Sequence, residues 1–72
     1  MDHKLYFAYL GGKMPGDRYG EEHEVVFVVA GSKEEAKQLA KEKWAGEVKD
    51  GLHVDCLKEI TDIDGWKISV HK

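Results

Sequence analysis

Cysteine, proline and arginine each occur once in this chain, as Cys56, Pro15 and Arg18. One cysteine makes no intrachain disulfide, which excludes a small secreted scaffold held together by such bonds. Cations are scattered and the formal charge is −3, so no basic stripe exists to track a phosphate backbone, and a nucleic-acid partner is not expected. Long apolar runs are missing too. Leu5 to Leu10, the longest near the N-terminus, has six residues and follows Asp2, too short for a signal-peptide core or a membrane span. These absences predict a cytoplasmic protein with no membrane partner. The chain also lacks repeats and low-complexity tracts.

With 72 residues there is room for one domain, spanning 1–72, and for no second core. A chain of this size buries only a little over ~60% of its unfolded surface, and such domains usually gain stability from a disulfide, a metal or another chain. The single cysteine removes the first of these, and association is the next to expect.

Against this background one stretch stands out. Gly11 to Gly20 holds four of the eight glycines, together with Pro15 and Arg18. It lies between two apolar segments, Lys4–Leu10 and His23–Ala30, each dense in β-branched or aromatic residues on both faces, as expected of covered strands. A ten-residue connection is long for neighbouring strands. Its backbone N–H groups, with Lys13 and Arg18 nearby, suit a nest for phosphate or carboxylate. The stronger phosphate loops lead into a helix and this one leads into a strand, so an extended hairpin connection is the plainer reading.

After Gly31 the periodicity changes. Ser32 and Glu35 match a capping box, Glu34 and Glu35 suit the positive end of a helix, and Ala36, Leu39, Ala40 and Trp44 form a helical stripe that Gly46 would end. A third strand is predicted over Leu52–Ile60, with Leu57 breaking its alternation. Thr61–Gly65 reads as a turn, and Trp66, Ile68 and Val70 alternate in a fourth strand. The expected fold is α+β, ordered β-β-α-β-β: a four-stranded, mostly antiparallel sheet with one helix on one face. The first strand is expected between the second and third, with the fourth on the outer edge. One helix leaves the other face of two-sided strands open, and contiguous apolar surface of this kind marks an interface. Sheet-to-sheet or edge-to-edge pairing of two copies would cover it.

Tyr9–Gly12, Pro15-Gly16, Glu22-His23 leading into Val26–Val29, and Leu52–Asp55 occur in an order and spacing that resembles the bacterial family Domain of Unknown Function 1543. The resemblance implies a unit carried once or twice per chain, and hence a dimer where it occurs once. It assigns no activity; the family-typical positions are Gly11, Gly12, Pro15, Gly16, His23 and His53.

Other constellations point less far. His53, Asp55, Cys56 and His71 lack the paired spacing of a zinc site, and no metal or cofactor is expected. Alternation puts Cys56 with Val54 on the apolar side, away from His53 and Asp55, where a thiol acts as a small hydrophobe. Lys67, Ser69 and His71 are candidates to share a polar patch with His53 and Asp55 across neighbouring strands. No catalytic group is assigned, and a non-enzymatic interaction module acting as a homodimer is the leading expectation. The alternative is a small anionic ligand bound by Gly11, Gly12, Lys13, Gly16 and Arg18 of the loop with His23 and His53, with hydrolytic or transfer chemistry as an extension.

Overall fold

The computed structural model describes residues 2–13, 20–45 and 51–72. In chain order these form β1 (Lys4–Lys13), β2 (Glu21–Ala30), α1 (Lys33–Glu42), β3 (His53–Ile60), β4 (Asp62–Ile63) and β5 (Trp66–Lys67). The main sheet has three strands in the order β2-β1-β3, with β1 antiparallel to both neighbours as expected. Gly16, Arg18 and Pro15 of the connection, and Gly46 at the expected helix stop, lie outside the described residues.

The helix forms where its capping signal stands. Ser32 Oγ accepts the Glu35 N–H at 3.2 Å, and Glu35 Oε1 accepts the Gly31 N–H at 2.9 Å, one residue before the usual target of a capping box. Its inner face is small. Ala36 and Ala40 are buried against Ala8 and Ala30, so helix and sheet approach closely, while Tyr6, Leu10, Val28 and Trp44 supply the bulk. Val26, Leu39, Leu52, Val54 and Leu57 pack around this cluster.

Gly11 and Gly12 do not stop β1 but continue it, and the pairing with β2 runs on to Lys13↔Glu21. The reason is close approach on both faces. A Cβ at Gly12 would stand 2.9 Å from Trp44 Cζ2 on the helix side, and one at Gly11 would stand 2.9 Å from His53 Nε2 on the other. At Gly12 the buried Trp44 ring leaves no room for a side chain, whereas at Gly11 the opposing atoms are the ends of two half-exposed side chains.

Two expectations are corrected. The sheet is not four-stranded: Trp66–Lys67 pairs locally with Asp62–Ile63 as a separate two-stranded hairpin. Asp64 (φ 53°) and Gly65 (φ 82°) both take the left-handed conformation, which suits a tight turn of the primed type and folds the segment back after two residues. One further rung, Ile68 N–H to the Thr61 carbonyl at 2.9 Å, closes its base, and Ile68–Lys72 form no strand.

The second correction concerns β3. Its register against β1 shifts between Tyr9 and Leu10: Val54 faces Leu10, Cys56 faces Tyr9, and Asp55 is the extra residue of a bulge. The bulge puts Leu57 beside Ala8 on the helix side, in phase with Val54, and carries Cys56 to the opposite, exposed face. The irregularity at Leu57 was the trace of that bulge.

Candidate functional site

The sheet face away from the helix is a ladder of cross-strand rows read directly from the register. From one end they are Val29–Leu5–Ile60, Phe27–Phe7–Lys58, Val25–Tyr9–Cys56 and His23–Gly11–His53. Three rows are mainly apolar and the last is polar. Phe27 is 54% exposed, Val25 48% and Val29 41%, which is much for side chains of this kind in a strand. Phe7 and Phe27 meet edge to face at the middle of the ladder, with centroids 5.9 Å apart.

The outer edge of β2 is occupied from the helix side. Lys43 Nζ donates to the Phe27 carbonyl at 2.6 Å, and the Ala45 N–H donates to Glu24 Oε2 at 3.1 Å. A strand added along this edge would have to displace both contacts.

At the polar end, three side chains converge over Gly11. The bulge aims Asp55 at both histidines: Oδ1 lies 2.8 Å from His53 Nε2 and Oδ2 lies 3.8 Å from His23 Nε2. Gly11 makes this possible, since a Cβ there would also stand 2.9 Å from Asp55 Oδ2. Tyr9 stacks on His23 with the rings parallel within 1° and centroids 5.2 Å apart. His53 Nδ1 stands 3.0 Å from the Gly51 carbonyl. A carbonyl and a carboxylate both accept, so His53 makes its two bonds at once only with hydrogen on both ring nitrogens. Among the described residues no group of His, Cys, Asp or Glu is arranged to hold a metal.

Of the residues expected to bind a ligand, Gly11, His23 and His53 therefore come together. Gly12 lies on the same strand but serves Trp44 on the other face. Lys13 belongs to β1 by its backbone, and Gly16 and Arg18 lie outside the described residues. Lys67 pairs with Asp62 in the hairpin, and His71 Nε2 meets Ser69 Oγ at 2.8 Å, so the expected polar patch across adjacent strands is not formed. Asp55 was not among the expected ligand residues. A carboxylate two positions from His53, with broken alternation just beyond, was its signal.

These features define a small α+β domain with one helix-covered sheet face and one open face, apolar over most of its length and capped by a His–Asp–His cluster. The chain belongs to the family Domain of Unknown Function (DUF1543), whose model matches residues 18–70. Three solved chains match it. Among them is protein Il1583 from Idiomarina loihiensis, similar with a TM-score of 0.78 and 36% identity over 92% of this chain. The match spans 44% of that protein's chain, so the present sequence covers less than half its length. No curated protein gives a significant match. Among the described residues no helix is long and apolar enough to cross a membrane.

Proposed function

We propose that this domain is a non-enzymatic interaction module that works as a homodimer, two copies packing their open sheet faces together. The observation that carries it is the exposed row-by-row apolar face centred on Phe7 and Phe27. Burying such a face is worth about 25 cal/mol per Å²; α1 packs on the opposite face, and the segment around Ile68 and Val70 borders only the first row, Leu5, Val29 and Ile60. The occupied β2 edge argues against edge-to-edge pairing through that strand. The length of the solved relative, which leaves room for a second unit on one polypeptide, fits the same need. Sedimentation at micromolar concentration tests the reading with Phe27→Glu, a change at a position that is exposed in the single copy and outside the core cluster. Each substitution acts twice across a two-fold interface, so a loss of about 3 kcal/mol or more is expected, over a hundredfold in Kd. A wild-type chain that stays monomeric at these concentrations overturns it.

One observation favours a second reading, binding of a small anion at the polar end. His23 and His53 face one point, and that point holds the Asp55 carboxylate. An external anion would compete with this internal one. Asp55→Asn is thus expected to tighten binding of inorganic phosphate several-fold, read from NMR shifts of the Gly11 amide and both imidazoles. Phosphate that shifts neither protein excludes the site.

A further inference from the structure

The β4–β5 hairpin is poorly accounted for as part of a lone subunit. Ile63 and Trp66 stand opposite one another across it, 51% and 76% exposed. Neither joins the core cluster. A two-stranded hairpin of this size is marginal in water by itself, and an exposed tryptophan facing an exposed isoleucine adds apolar surface rather than hiding it. The radius of gyration is 13.9 Å, against roughly 11 Å for a compact domain of this length. The molecule measures 44 × 26 × 17 Å along its principal axes.

Beside the base of this arm lies a cleft of about 610 Å³. Leu5, Val29 and Ile60, the first row of the open face, form one wall, and Ile68 and Val70, just after the arm, form another. Neither Ile63 nor Trp66 lines it. The cleft is large enough for an indole and a neighbouring aliphatic side chain, and it continues the apolar face already read as an interface.

We propose that two copies exchange these arms: Trp66 and Ile63 of one copy enter the cleft of the second, and the second returns the contact. This rests on the self-association reading and names the surfaces that meet. The occupant is a second copy because arm and cleft are adjacent on one chain, sharing the segment from Ile60 to Val70. A two-fold axis passing between them brings each arm to the other's cleft and closes the assembly, which a heterologous contact would not do.

The test uses the full chain labelled with 5-fluorotryptophan, which carries two reporters, Trp44 and Trp66. The Trp66 resonance is assigned with Trp66→Phe. Fluorine spectra and sedimentation are recorded on the same samples across a dilution series. As dimer forms, the Trp66 line is expected to shift and lose its sensitivity to exchange of H2O for D2O, while the Trp44 line stays fixed. Trp66→Ala and the wall variant Val70→Glu should each raise Kd at least tenfold, with unchanged circular dichroism at low concentration. A dimer whose Trp66 remains solvent-exposed, or whose Kd ignores both substitutions, overturns arm exchange and leaves self-association standing. A chain that is monomeric throughout overturns both.

Discussion

Gly11 and Gly12 are neighbours on the central strand, yet what they make room for differs in stiffness. The atom opposing a Cβ at Gly12 belongs to the Trp44 ring, which is only 5% exposed and held on several sides. The atoms opposing Gly11 are the ends of the His53 and Asp55 side chains, which rotate away into solvent. Gly12→Ala is therefore expected to cost about 1–3 kcal/mol, as overpacking of a tight core does. For a domain this small that lowers Tm by roughly 4–8 °C per kcal/mol. Gly11→Ala should cost well under half as much while separating His53 from Asp55, visible as altered imidazole shifts. Thermal melts of the two variants decide the matter, and equal losses would show that close approach is not what selects glycine at these positions.

The elements legible in the sequence were those whose signals are local. Ser32 and Glu35 fix the helix start through bonds within one turn, and the alanine stripe fixes its inner face. Lys4–Leu10 and His23–Ala30 read as strands because their side chains fit nothing else. What failed depended on partners far along the chain. The end of β1 was misplaced because glycine is poor in strands, and its compensation comes from Trp44 and His53, more than thirty residues away. The alternation of Trp66, Ile68 and Val70 has strand character but does not say which strand it joins, and the Asp64-Gly65 turn settles that locally in favour of the hairpin. For the site, His23, His53 and Gly11 were legible one by one. Their meeting over one glycine follows from register and from the bulge at Asp55, and a bulge leaves only a single displaced apolar residue, Leu57, as its mark.

At the scale of the whole molecule the balance is between a thin core and a large uncovered face. Eight described hydrophobic residues form the buried core and four of them, Ala8, Ala30, Ala36 and Ala40, are alanines, so the interior offers little transfer free energy per side chain. The larger side chains of the other face, Phe7, Phe27, Tyr9 and Val25, contribute fully only when something covers them. If the cover is a second copy, stability follows mass action: unfolding one dimer releases two chains, so dilution favours the unfolded state. Each tenfold rise in concentration then adds about 1.4 kcal/mol per dimer, or roughly 0.7 kcal/mol per chain. For a chain of this size that amounts to a Tm increase of roughly 3–6 °C per decade of concentration. Phe27→Glu should abolish the slope and place the Tm only several degrees below that of the dilute wild type, through loss of its ring contact with Phe7, because Phe27 lies outside the core. Differential scanning calorimetry over a hundredfold concentration range reads both quantities. A flat wild-type Tm across that range would mean that the aromatic face is stable in water by itself, and that the core of small residues suffices to hold the fold.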